Sequence, residues 1–318
     1  VLVTDQRILM TIKNTPELRQ ILWSDREDNN DWTPTVSNYA DSRILQGNGR
    51  LLGLYKVLNQ ILVLSEQDAY VGRFLGAQLV YGFDRVGTDC GPIWKTAVAT
   101  TDRFAIWWGE RNFWAYDGTL KPIPCEVMDF LDDDLNRDMV SKIHTVNISD
   151  FSELWWFYQS QSSATNEIDS YVSYDYVEQH WVTGRLNRTT GFDRNSYAVP
   201  IMVDPAGQIW NHEIQSIKVD GDAFASTGPL ELQNGQRNMA VRYVFPDTEL
   251  PNEVTLSFKT RQMPTGPDVA FGPYAYENPI STTGVLGREI RMRVDGLTNS
   301  WEVGTMRFDT QEVGGGFR

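Results

Sequence analysis

The chain has 318 residues, 41% hydrophobic and 22% charged, a globular composition that excludes a mostly disordered chain and supplies material for about two domains. Its 28 Lys and Arg stand against 42 Asp and Glu, a net charge of −14, which argues against holding nucleic acid by diffuse attraction to phosphate. The longest apolar runs, such as 61–64 and 104–108, are far shorter than the ~18 residues a membrane helix needs, so no membrane span is expected.

The start, Val-Leu-Val-Thr-Asp, carries neither Met nor a basic region followed by an apolar stretch. No signal peptide is read there, and the chain is expected to begin partway through a longer product. Aromatic residues reach 12%, with 11 Trp, 13 Tyr and 14 Phe. Many of them fall in short apolar runs that enter a polar turn: Ile21-Leu-Trp-Ser-Asp25, Ile61-Leu-Val-Leu-Ser65, Phe104-Ala-Ile-Trp-Trp108, Glu153-Leu-Trp-Trp-Phe157 and Pro200-Ile-Met-Val-Asp204. The starts are 40, 43, 49 and 47 residues apart, the spacing of propeller blades of about four strands each. A second apolar run follows each of the last four turns, as in Ala69-Tyr-Val71 and Phe113-Trp-Ala-Tyr116, and predicts hairpins. The tryptophans are expected to pack between adjacent blades.

Residues 126–143 break the β pattern. Val127, Leu131, Leu135 and Met139 recur every fourth residue behind Pro124, predicting one amphipathic helix. Its outer face carries Asp129, Asp132, Asp133, Asp134 and Asp138, candidates for an acidic surface that repels DNA or docks on a basic partner. The β-propeller-like domain is therefore read as residues 1–225. Residues 226–318 are read as a C-terminal β domain or the segment that closes the propeller, with alternating runs at 254–258, 290–294 and 301–308. Residues 264–279, rich in Pro, Gly and Tyr, are expected to form a long ordered loop, and the tail from Gly314 to be flexible. The fold class expected is all-β.

Chemistry is sparse. Cys90 and Cys125 are too few for a disulfide scaffold and are read as free buried thiols. His144, His180 and His212 lack metal-ligand spacing. No nucleophile elbow, Walker loop or His-Glu-x-x-His motif occurs, so no catalytic residue, cofactor or metal is assigned. Asp204-Pro-Ala-Gly207-Gln-Ile-Trp210 approaches the Asp box of sialidase propellers, but it is a single copy with Met202 where Ser belongs. With Trp114, Trp181 and Trp210 it supports a second reading, a carbohydrate-binding or sialidase-like propeller.

Further stretches carry a family resemblance. They are Leu22-Trp-Ser-Asp25 with Asp31-Trp32, Asp89-Cys-Gly-Pro92, and Asn147 with Phe151-Ser-Glu-Leu-Trp-Trp-Phe-Tyr158. Others are Asp169-Ser-Tyr-Val-Ser-Tyr174, Trp181, Gly184, Arg188-Thr189, Arg261-Gln-Met-Pro264 and Gly272-Pro-Tyr274. The last are Gly287-Arg288, Arg291-Met-Arg-Val294, Trp301-Glu-Val-Gly304 and Arg307-Phe-Asp309. In this order they resemble the tail hub or nozzle proteins of short-tailed bacteriophages, also called packaged-DNA stabilisation or head-completion proteins. Gln159, Thr190 and the Gly-Phe-Arg ending depart from that pattern. The resemblance implies a structural virion protein of the tail, not an enzyme, assembled in the host cytoplasm as a hexameric ring beneath the portal and its adaptor. Such a ring extends the DNA channel, retains packaged DNA that passes through without specific binding, and anchors a needle, fibre or spike. It also implies further N-terminal strands beyond this sequence.

Overall fold

The structure is a computed structural model that describes residues 1–15, 19–76, 79–195, 197–214, 224–231, 237–246, 254–263, 265–275, 277, 279–282, 284–297 and 303–313. The chain divides into two compact units, Val1–Glu213 and Ile214–Arg318, where the sequence reading set the boundary after residue 225.

Unit 1 is a succession of antiparallel meanders, each hydrogen-bonded in chain order. Sheet 1 holds β1 (Leu2–Val3), β2 (Leu9–Asn14), β3 (Arg19–Trp23) and β4 (Asp41–Ile44). Sheet 2 holds β5 (Leu51–Val57), β6 (Gln60–Ser65), β7 (Ala69–Gly76) and β8 (Val80–Gly87). Sheet 3 holds β9 (Val98–Thr100), β10 (Ala105–Trp108), β11 (Phe113–Tyr116) and β12 (Leu120–Ile123). Sheet 4 follows the helix α1 (Met128–Asp134) and holds β13 (His144–Ile148), β14 (Glu153–Tyr158), β15 (Ser170–Asp175) and β16 (His180–Arg185). Sheet 5 is three-stranded: β17 (Thr190–Phe192), β18 (Ile201–Val203) and β19 (Ile209–Asn211). The leading strand of each later sheet runs beside a strand of the sheet before it, β5 beside β2, β9 beside β5, β13 beside β9 and β17 beside β13. Unit 1 is all-β and β-propeller-like, with one short inserted helix.

Period-two alternation decides where the core sits. On β6, Ile61 and Val63 join Ile21 and Trp23 of sheet 1, whereas Leu62 and Leu64 turn the other way to Trp107 of sheet 3. On β10, Ala105 and Trp107 face sheet 2, and Ile106 and Trp108 face Leu154 and Trp156 of sheet 4. On β14, Leu154, Trp156 and Tyr158 face sheet 3, while Phe157 faces Met202 of sheet 5. The hydrophobic core of unit 1 thus consists of four junctions between neighbouring sheets. A strand buried on both faces reads as a continuous apolar run, which is why Ala-Ile-Trp-Trp and Leu-Trp-Trp-Phe-Tyr lack polar interruptions. Two of the buried indoles keep hydrogen bonds across a junction or its loops: Trp107 Nε1 donates to the Cys90 carbonyl at 2.6 Å and Trp156 Nε1 to the Ala97 carbonyl at 3.0 Å.

Polar side chains fasten strands of neighbouring sheets across these junctions. Asn14 donates to the Leu51 carbonyl at 2.8 Å and accepts the Leu51 N–H at 3.1 Å. Thr145 donates to the Val98 carbonyl at 3.2 Å and Asn147 to the Thr100 carbonyl at 2.9 Å.

Four sequence expectations change. The Ile21 run lies on the third strand of its sheet, whereas the other four lie on second strands, so the 40-residue first interval is out of phase with the rest. The helix expected over 126–143 is α1 followed by a 3-10 segment, Arg137–Lys142. Leu135 between them is extended and bridges Ser160. Three aspartates end α1, where the helix dipole disfavours negative charge, and Asn136 restarts the chain by accepting the Asp138 N–H. The stretch expected as a loop over 264–279 contains the strand β24 (Val269–Ala275), paired with β23 (Val254–Arg261). Pro273 is tolerated there because β24 is an edge strand. The strand placed at 301–308 is β28 (Met306–Val313); Trp301 and Glu302 lie outside the described residues, as does the tail from Gly314.

Unit 2 has its own core. One sheet joins β20 (Phe224–Ser226), β21 (Leu230–Glu231), β23, β24 and β27 (Glu289–Gly296). The other joins β22 (Asn238–Pro246), β25 (Ile280–Ser281), β26 (Leu286–Gly287) and β28. Val241, Val244, Leu256, Phe258, Ile290, Met292 and Val294 are buried in one cluster drawn from both sheets.

Since Trp156 belongs to a junction of two sheets and α1, Trp156→Ala is expected to lower stability by about 3–5 kcal/mol, read as a drop in the urea midpoint with the unfolding slope unchanged.

Candidate functional site

The five aspartates singled out from the sequence do not act as one surface. Leu131 and Leu135 anchor the segment in the junction between sheets 3 and 4, and that anchoring turns one carboxylate inward. Asp134, with a side chain only 11% exposed, accepts Arg185 Nη2 at 2.9 Å and the Tyr158 hydroxyl at 2.8 Å. Asp132 pairs with Arg137 at 3.1 Å. Asp129, Asp133 and Asp138 are exposed, as is Phe130.

Arg185 also donates to Ser170 Oγ at 2.5 Å and lies 3.6 Å from Asp169. Burial by itself raises the Asp169 carboxyl, but the Ser160 N–H and hydroxyl, the Ser170 hydroxyl and Arg185 outweigh it and hold the group below the ordinary carboxylate range. Burial and the bond to Asp134 push the Tyr158 hydroxyl well above its usual value. The network ties α1 to sheet 4. No short motif announces it, because Asp134 and Arg185 are 51 residues apart.

A second polar cluster lies on sheet 5 and the segment leading into it. Asp204 accepts the Ala206 and Gln208 N–H groups at 2.9 Å each and Trp210 Nε1 at 2.9 Å. The near-match to an Asp box is therefore a clasp within one hairpin. The buried Arg188 stands 5.4 Å from the Trp210 ring centroid and donates through Nε to His212 Nε2 at 3.0 Å. Trp114, Trp181 and Trp210 sit in sheets 3, 4 and 5 and form no common stacking platform. Trp181 is core, 4.4 Å from both Phe113 and Tyr174, with its N–H on the Pro124 carbonyl.

Cys90 and Cys125 are free, the first buried and the second partly so, and burial pushes their thiols up to about 11 and about 12. Among the described residues, no three His, Cys, Asp or Glu side chains converge as metal ligands, and no helix is long and apolar enough to cross a membrane.

No protein-family model matches the chain, and no curated protein does. Among solved structures it is similar to the N-terminal domain of Nup159 at 9% identity, covering 64% of this chain and 60% of that one with a TM-score of 0.36. It is similar to the S. cerevisiae core factor at 8% identity, over 92% and 54% with a TM-score of 0.35. An exo-β-1,3-galactanase from Phanerochaete chrysosporium matches at 8% identity over 95% and 94%, with a TM-score of 0.27. The chain spans about 60% of the length of the first of these.

Two measurements follow from the polar clusters. Asp134→Asn is expected to cost about 1 kcal/mol, whereas Asp133→Asn stays within about 0.5 kcal/mol, both from urea midpoints. Burial lowers His144, whose ring nitrogens are buried without partners, to about 4; burial and then the Arg188 charge lower His212 to about 4. The unfolded chain takes up protons at these histidines near 6.5 and the folded one does not, so stability is expected to fall as pH drops from 6.5 toward 4. Carboxylates held low, such as Asp169 and Asp204, begin from an ordinary value of 3.8 and add their loss below that window. A His144→Leu, His212→Gln double variant should flatten the pH dependence of the urea midpoint between 6.5 and 5.

Proposed function

We propose that the chain is a structural subunit of a short-tailed phage virion, one copy in a hexameric ring that extends the DNA channel below the portal and adaptor. In that role it retains packaged DNA and anchors a distal needle, fibre or spike. The observation that carries the reading is the excess of acidic residues in both units: unit 1 holds 29 acidic against 18 basic residues, and unit 2 holds 13 against 10. A wall of this kind repels the phosphates of a passing duplex at contact range and keeps the duplex from sticking, over a Debye length of about 8 Å at physiological salt. Asp129, Asp133 and Asp138, left outside the Arg pairs, contribute to it.

A second support is mechanical. β6, β10 and β14 are each shared between two junctions, and a body built this way deforms little when neighbours pull on it. Heterologous contacts between such bodies close into rings when the rotation divides a full turn.

Negative-stain images and native mass of the purified chain are expected to show a six-fold ring with an open lumen. A chain that stays monomeric at every concentration and joins no portal–adaptor complex contradicts the proposal.

A further inference from the structure

Unit 2 sets two like charges against each other on one face of a sheet. β23 and β27 are antiparallel neighbours, and their register places Lys259 directly opposite Arg291, Ser257 opposite Arg293 and Arg261 opposite Glu289. All six lie on the side away from the buried Phe258, Met292 and Val294. Arg293 donates to Asp295 through Nε at 2.8 Å and Nη2 at 2.6 Å and lies 3.8 Å from the Phe224 ring centroid. Arg261 is paired with Asp268, and that bond holds the Asp268 carboxyl below its ordinary value, with smaller contributions from the charges of Arg291 and Lys259. Lys259 is exposed and Arg291 half-buried, and neither has an ion pair or a hydrogen bond of its own among the described residues.

Like charges directly across a strand pair are destabilising, and a chain with 42 Asp and Glu has ample carboxylates with which to cancel them. A local rule broken with no compensating group inside the chain marks a place where function sets the residue choice. We propose that this face of unit 2 docks an acidic segment of another protein, with a carboxylate of that segment seated between Lys259 and Arg291. The guanidinium offers a fork of N–H groups to the two carboxylate oxygens and the ammonium a second positive charge. Ala270, paired with Lys259 on the other side, and Ser257, two residues before it, are short and leave the approach open. Asp268 and Asp295 flank the pair and favour a peptide over DNA, because they repel a continuous run of phosphates, whereas a peptide spaces its acids with neutral residues. An extended segment with an acid at every second position presents carboxylates on one side about 6.8 Å apart. The inference does not rest on the ring reading, since a chain that never forms rings still carries this face.

The probe is a labelled ten-residue peptide of alternating Glu and Thr, titrated with the full chain and read by fluorescence anisotropy. The wild-type chain is expected to bind it despite a net charge of −14, and the Lys259→Gln, Arg291→Gln double variant to bind it about ten-fold more weakly. Arg103→Gln with Arg111→Gln removes the same charge from exposed positions of unit 1 and is expected to change binding less than about two-fold. The urea midpoint of the Lys259→Gln, Arg291→Gln variant should equal or exceed that of wild type, because a repulsion has been removed. A lower midpoint assigns the pair to the fold and overturns the inference. So does a wild-type chain that leaves the peptide free, or equal weakening in the two double variants. Duplex DNA of the same total charge that binds more tightly than the peptide, and loses its binding in the Lys259→Gln, Arg291→Gln variant, assigns the face to nucleic acid and overturns it as well.

Discussion

Burial of a single strand on both faces is the constraint from which the rest of unit 1 follows. β6, β10 and β14 each send alternate side chains into two different junctions, so no sheet owns a core by itself. A two-sided strand of this kind cannot be stabilised by its own meander, because an isolated small sheet leaves at least one apolar face in water. Stability is therefore a property of neighbours, and the sheets are expected to form together. The same arrangement sets residue choice: large aromatics fill a junction from one side, and the indole N–H groups of Trp107, Trp156 and Trp181 reach backbone carbonyls of the loops beside them. Asn14, Thr145 and Asn147 add fixed cross-links between strands of neighbouring sheets that apolar contact alone does not orient.

That architecture also organises the polar chemistry. The segment between sheets 3 and 4 is fastened by Leu131 and Leu135, and the fastening separates its aspartates into two kinds. Asp134 faces Arg185 and Tyr158 and serves the fold; Asp129, Asp133 and Asp138 face solvent and set the local field. The two partly buried histidines, His144 and His212, mark sheets 4 and 5 as the acid-sensitive end of unit 1, since burial favours their neutral forms.

Much of this was legible in the residues, and the exceptions have physical causes. Runs such as Glu153-Leu-Trp-Trp-Phe157 announce two-sided strands because nothing polar interrupts them. The run at Ile21 has the same character, yet it occupies a third strand; local pattern records burial and not position within a meander. The Leu131, Leu135 and Met139 spacing continues through the break at Leu135, so periodicity alone carries the helix too far. β24 was hidden by Gly272 and Pro273, whose turn signal is overridden by pairing with β23. Arg185 was invisible as the partner of Asp134 because their meeting depends on sheet 4 packing against α1. Trp23, Trp156 and Tyr158, among the residues that carry the phage-tail resemblance, are junction residues, so these three speak first to how the chain folds.

Hydrogen exchange read by mass spectrometry tests the shared-core account most directly. The amides of β6, β10 and β14 are expected to be the slowest in unit 1 and to open together in one cooperative step as denaturant rises. Sheets that open one after another, each with its own midpoint while its neighbours stay protected, contradict it.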